Sequence, residues 1–429
     1  MRSFKILIAL LLLITSSNAN SQEISPVSVQ TVLKLAGANN LTIKEYQAMY
    51  RQALADQVKA GEWWLPVLRA GITTHYLNGA AMNTNARIIN GLNQNSLFSA
   101  FGFSAEIDFN KGRYEYLAAK QMSVAASYAS IAAHNQAILH AVQTYYDLQA
   151  DQLSYLFLTR LASQADTLAG QLKIQVDAGL RYQSEYLLAA SNAQHYYIEA
   201  IQQKENWQKA GITLSSLLNL IGNIRLVSAD SVMLPLRNDF MSDSTATNNF
   251  NVRPEYKSLQ AELSSYQTTR KISTNGYALP KIIIGTDDGL FGAYSYPLYN
   301  TYQINASIVW TLPLGRLFKH GELQRQDARI AIQQNKIEQF KNQYFIEIQN
   351  ADIQKHSAYQ QLQAATSALN MAGNALLQSQ QRQQLGTAKA FEVIQAEQVY
   401  LQIKLDDIKA IAEYNKAIYS IFVAKGGTL

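Results

Sequence analysis

The sequence predicts a mainly α-helical chain with a small β part: long coiled-coil hairpins and four short strands, laid out twice. Three observations predict it. From Gly112 to about Asp177 there is no proline and, apart from Gly170, no glycine, and Gly315 to about Gln384 behaves likewise. Four segments between the helical runs alternate apolar and polar residues with period two. Three short matches recur in the same order in the two halves of the chain.

The helices come first. At 1.5 Å per residue, the Gly112–Asp177 run would extend roughly 100 Å if unbroken. Its apolar residues keep coiled-coil spacing, with Val124, Ile131, Ile138 and Tyr145 seven apart. Leu362, Ala365, Leu369, Ala372 and Leu376 step by alternating threes and fours. Ile394, Leu401, Ile408, Asn415 and Phe422 return to sevens, flanked by Leu405, Ala412 and Tyr419. Such narrow seams want long helical neighbours. Gln, Asn, Ser and Ala cover the other faces, which suits water better than a broad core.

The strands are expected at about 67–77, 96–110, 281–289 and 302–312. One face of the second carries Leu97, Phe101, Phe103, Ala105, Ile107 and Phe109; the other carries Ala100, Gly102, Ser104, Glu106 and Asp108. Tyr302, Ile304, Ala306, Ile308, Trp310 and Leu312 share a face of the fourth. An apolar face outward and a small or polar face inward fit a transmembrane β-barrel. A half-buried antiparallel sheet in a soluble protein would show the same alternation. Open edges are not tolerated in lipid, so four strands must be completed by other copies. Eight strands from a dimer would be filled by side chains; twelve from a trimer begin to leave a lumen.

The repeat aligns Glu45–Gly71 with Leu259–Gly285, setting Pro66 over Pro280 and Gly71 over Gly285. It sets Phe109–Arg113 over Leu312–Arg316 and Ala178-Gly179-Leu180 near Leu385-Gly386-Thr387. Its organisation is a signal peptide over 1–21, a first repeat over 22–221, an Asn/Ser/Asp/Thr-rich linker or equatorial segment over 222–252, a second repeat over 253–425, and a tail over 426–429. The signal reading rests on Arg2 and Lys5, the apolar Ile6–Ile14 run and the small polar residues after it. Its removal lowers the formal charge from +5 to +3, too little to argue for nucleic acid. With no cysteine, disulfides, thiolate metal sites and cysteine nucleophiles are excluded.

With these features in place, the chain resembles the outer-membrane factor family, the TolC-like outer membrane efflux proteins. The carriers are the duplication, the Trp64-Leu65-Pro66 and Ala278-Leu279-Pro280 strand entries, the Gly112-Arg113 and Gly315-Arg316 exits, and the two tips. The resemblance implies a homotrimer with a 12-stranded transmembrane β-barrel in the cell outer membrane and a periplasmic α-barrel. It implies a passive exit duct of a tripartite efflux or type I secretion system, working with a periplasmic adaptor and an inner-membrane pump. Ala178, Gly179, Leu180, Leu385, Gly386 and Thr387 match the family's adaptor-docking tips. Glu392 and Gln395 match its acidic periplasmic gate, where Gln395 departs from the commoner acid, and Glu185 stands at the equivalent place in the first hairpin. A trimer would bring three Glu392 carboxylates near one axis, favouring cations and raising their apparent pKa values; a helix N-terminal acid complementing the macrodipole is the plainer reading.

Other constellations are weak. The histidines show no metal spacing, and no GxSxG, phosphate loop or GxGxxG occurs, so no catalytic site, metal or cofactor is expected. Asp287-Asp288-Gly289 reads as turn chemistry at a strand end. Trp63, Trp64 and Trp310 are expected as membrane-interface anchors, with core packing as the alternative for the Trp63-Trp64 pair. Two loops, about 77–95 and 289–301, would face outside. A periplasmic adaptor or an exported coiled-coil scaffold is the competing class. The first would need a single hairpin with soluble β-domains; the second leaves the aromatic strand faces unexplained.

Overall fold

The computed structural model describes residues 23–83, 85–220, 224–237, 249–275, 279–293, 297–311, 314, 318 and 320–429. The segment read as a signal peptide, the second Gly-Arg exit, and residues 222–223 and 238–248 of the linker lie outside them. The elements run β1 (Glu23–Val27), α1 (Val29–Asn39), α2 (Leu41–Gly61), β2 (Val67–Met82), β3 (Ile88–Asp108), α3 (Phe109–Asp177) and α4 (Gln183–Leu217). After β4 (Ile224–Ser228) and a 3-10 turn (Phe250–Val252) come α5 (Pro254–Asn275), β5 (Lys281–Gly292), β6 (Tyr299–Val309), α6 (Gly321–Gln384) and α7 (Ala390–Ala424). The chain is therefore mainly helical with antiparallel strands. It divides into two compact units. No described helix is long and apolar enough to cross a membrane.

The first unit comprises residues up to Tyr46, Ser130–Pro254 and Lys341–Leu429. Its main core gathers Leu148, Trp207, Leu214, Leu226 and Tyr419 around Tyr145 and Tyr146. Burial pushes the Tyr145 phenol up to about 12, and its hydroxyl donates to Asp230 at 2.9 Å. Parallel pairing of β1 with β4, Glu23 opposite Ile224, closes a two-stranded sheet. β4 lies in the segment read as a linker, and its partner β1 is not expected from sequence, because five residues carry no resolvable periodicity. Most of the α7 seam is buried as read: Ile394, Leu401, Ile408 and Asn415 with the flanking Ala412 and Tyr419, whereas Phe422 and the flanking Leu405 are only partly buried. In α3 the seam shifts. Ile138 and Tyr145 are buried but Val124 and Ile131 are exposed, and Ala125 is buried instead. A straight helix drifts about 20° per heptad from a 3.5-residue repeat, which moves the buried stripe by one position.

The second unit comprises Gln47–Ala129 and Glu255–Phe340. Its helices meet through small and polar side chains. Ser258 and Ser265 of α5 donate to the Ala125 and Ala118 carbonyls of α3, each at 2.9 Å. Gln333 of α6 donates to the Leu259 carbonyl at 3.1 Å and to Glu262 at 3.0 Å. Serine and alanine allow close helix approach, and each buried hydroxyl has its partner.

The four-stranded sheet of this unit is antiparallel in the order β2-β3-β5-β6. Several strand ends differ from expectation: β2, β3 and β5 extend further at the hairpin side, and β6 runs Tyr299–Val309 rather than 302–312. β2 and β3 pair beyond Tyr76, leaving only a short turn held by Asn83, whose side chain accepts from the Asn85 and Arg87 amides at 3.1 and 3.0 Å. The Asn/Gly-rich composition reads as loop, yet backbone pairing needs no apolar side chain. Phe109 and Asn110 belong to α3, not to the strand, because Asp108 accepts from the Lys111 amide at 2.9 Å and caps the helix. Likewise Asp287-Asp288-Gly289 lies inside β5 rather than in a turn.

Candidate functional site: an open amphipathic sheet and two helical tips

Strand register decides which side chains share a face of the sheet. Leu68 pairs with Phe103, and Ala70 with Phe101. Phe103 pairs with Thr286, and Ala105 with Ile284. Thr286 pairs with Ile304, and Ile282 with Ile308. One face therefore collects Leu68, Ile72, Phe101, Phe103, Ile284 and Ile304 across all four strands. It stands open: Phe101 is 53% exposed and Ile304 68%. Asp288, between Phe101 and Tyr302, is the charged exception.

The opposite face is small and charged along the middle and helix-side end of the strands and aromatic toward the hairpin ends, where Phe98 pairs with Phe291 and Phe291 with Tyr299. Lys281 donates to Glu106 at 2.7 Å, and Arg69 approaches Asp287 at 3.9 Å. Glycine at 102 and 289 is required there. A side chain at Gly102 would collide with the Thr286 carbonyl, and one at Gly289 with that of Ser99.

The tryptophans separate into two kinds. Trp63 is half-buried, edge-on to Phe109 at 5.6 Å, and its ring covers Gly112 so closely that any Cβ there would overlap it. That contact explains the glycine of the first Gly-Arg exit, a cause the sequence did not disclose. Trp64 and Trp310 are exposed. Asn110 ties the exit to the second strand entry by donating to the Leu279 carbonyl at 3.0 Å.

The tips belong to the first unit and are built alike. Gly179 and Gly386 both adopt φ 74°, the left-handed region. The Leu180 amide donates to the Gln175 carbonyl at 2.8 Å, and the Gly179 amide to Val176 at 2.8 Å. The Thr387 amide donates to Arg382 at 2.9 Å, and Gly386 to Gln383 at 3.0 Å. Both are Schellman endings, so the sequence pairing of Gly179 with Gly386 is also a pairing of geometry. Leu180 and Leu385 project from them, 75% and 78% exposed.

Past each tip an acid meets an arginine. Arg181 reaches Glu185 at 2.9 Å, and Arg382 reaches Glu392 at 3.2 Å. Glu392 also accepts from the Lys389 amide at 3.3 Å, as the third residue of a capping box. Gln395 is exposed on α7. Arg181 lies four residues before Glu185, whereas Arg382 lies on the other helix of its hairpin and its pairing with Glu392 is not expected from sequence. Among the described residues, no group of three or more His, Cys, Asp or Glu side chains comes together as a metal site.

No protein-family model matches the chain, and no curated protein matches it. Solved structures do match its fold. The CmeC outer membrane channel of Campylobacter jejuni superposes with a TM-score of 0.76 at 17% identity, over 93% of this chain and 85% of that one. CusC, described in terms of transmembrane channel formation, gives 0.74 at 16% identity, over 96% and 95%. The Neisseria gonorrhoeae MtrE outer membrane channel, in its open state, gives 0.73 at 15% identity, over 93% and 89%. The fold is thus that of TolC-like outer-membrane channels, shared along nearly the whole chain.

Proposed function

We propose that this chain is one subunit of a homotrimeric outer-membrane exit duct, a passive channel without catalytic activity. The observation that carries the reading is the four-stranded sheet, whose apolar face runs across all four strands, carries aromatic rings and stands exposed. Hydrocarbon suits that face, and both sheet edges need partners there. Three copies supply twelve strands, enough to leave a water-filled lumen lined by the small, charged face. The fold shared with outer-membrane channels supports the same reading.

Within it, the chain is an internal duplication with repeats 22–221 and 253–425 joined through 222–252, following a signal peptide. The hairpins form a periplasmic extension whose Leu180 and Leu385 tips dock an adaptor, which in turn meets an inner-membrane pump. Glu392, Gln395 and Glu185 line the periplasmic gate, with Arg382 and Arg181 holding the two acids. Trp64 and Trp310 anchor at the lipid interface, while Trp63 locks the strand-to-helix junction.

The test is extraction and reconstitution. The mature protein should leave membranes only with detergent, migrate as a trimer by light scattering, and conduct in planar bilayers. A water-soluble monomer or a non-conducting oligomer would be a scaffold or adaptor instead.

A further inference from the structure

Along the hairpins, away from the tips, α3, α4 and α7 meet in a dry seam of Leu158, Leu161, Ala162, Ala193, Ala200 and Leu401. Three polar groups enter it. Tyr196 is fully buried, Asn192 and Glu397 nearly so. The Asn192 Nδ2, the Tyr196 hydroxyl and the Glu397 Oε2 each lack a hydrogen-bond partner. Gln398 holds the other end of Asn192, donating to its Oδ1 at 2.9 Å. A neutral carboxyl at this position costs less to bury than a charged one.

The groups facing Glu397 can be named element by element. From α4 come Tyr196 and Asn192, with Glu199 acting on Tyr196 as well. From α6 comes Gln380, whose neutral side chain eases ionisation of the carboxyl. α3 contributes Leu158, Leu161, Ala162 and Ala165 to the seam, none of them titratable. No lysine or arginine acts on it, so ionisation there is opposed by burial and eased only by one neutral amide.

We propose that Glu397 is a proton-operated latch in the seam between the two hairpins. Protonated, it seals the α4–α7 contact; ionised, it opens that stretch locally. Burial pushes the carboxyl up to about 7, which puts the change between mildly acidic and neutral pH. The sign follows from the raised value. The seam is most stable below the ordinary carboxylate range, loses stability as pH rises toward 7, and levels off above it. The latch does not depend on the duct reading, although a duct would inherit from it a pH-dependent loosening of its wall.

Hydrogen exchange on the full mature chain in detergent tests it, read on peptides covering 188–200 and 393–402. Protection corrected for intrinsic rates should fall by roughly fifty-fold from pH 5 to pH 8, mostly below pH 7. Glu397→Gln and Glu397→Met should keep high, pH-independent protection. A flat wild-type profile overturns the proposal, as does an unchanged slope in both variants. Failure of both variants to assemble also overturns it, because a neutral side chain is what the closed seam requires. Since the readout is exchange and not conductance, a chain that conducts nothing would refute the duct and leave this result standing.

Discussion

Arg382 and Glu392 face each other across the second helical tip, Nη1 to Oε2, at 3.2 Å. Arg181 and Glu185 repeat the pairing at the first tip at 2.9 Å. An acid read from sequence as a bare gate carboxylate is therefore held, and partly neutralised, by an arginine of its own chain.

Glu392→Gln should accordingly separate gating from stability. Glutamine keeps the capping-box geometry, and a half-exposed ion pair contributes about 0–1 kcal/mol, so thermal unfolding should barely move. Reversal potentials in asymmetric salt should show weaker cation preference, because Arg382 loses its counter-charge. Unaltered selectivity and conductance would remove Glu392 from the gate.

Asn415 occupies a heptad position of α7 but does not act as a core residue. Its side chain accepts from the Leu236 amide at 2.8 Å and donates to the Leu234 carbonyl at 3.0 Å, strapping the end of the linker to the helix. Asn415→Ala leaves two backbone groups without these bonds and should cost about 2–3 kcal/mol. Limited proteolysis should then cut within 229–237 at protease concentrations that leave the wild type intact.

Asp151 offers a pH test in the first unit. Burial first, and the neighbouring Asp147 second, push its carboxyl up to about 6, while Lys416 pulls it down. A raised carboxyl contributes its full stability below its unfolded value of 3.8 and loses it as pH climbs through about 6. Asp151→Asn should therefore stabilise by about 1–3 kcal/mol at pH 8 and change little at pH 4. Melting curves at the two pH values check this; equal effects at both would contradict it.

Ile304 and Asn305 are neighbours in β6 on opposite faces of the sheet. If the apolar face meets lipid, Ile304→Lys should cost about 2–4 kcal/mol and deplete assembled protein from the outer membrane. Asn305→Lys should assemble normally and alter only conduction. Equal assembly of both variants would argue that no hydrocarbon covers this face.

Much of the fold was legible because it repeats. The α7 seam from Ile394 to Tyr419 and the alternation of β3 and β6 are periodic patterns, and period is what a linear sequence displays. Gly179 and Gly386 were legible as a pair because only glycine takes their backbone conformation cheaply. The extensions of β2 and β3 were not, since cross-strand backbone pairing has no side-chain signature. The arginine beside Glu392, the ring over Gly112 and the buried Glu397 were also out of reach, because each depends on which distant atoms arrive nearby.

The sequence by itself determined the element types and the two apolar periods, both consequences of local geometry and side-chain pattern. Only the tertiary structure decided the strand register that merges four amphipathic strands into one apolar face. It also decided which charges are paired and which carboxyl is sealed away from water. Register and pairing are set by contacts between residues far apart in the chain, and the energy of a charge depends on its surroundings rather than on its place in the sequence.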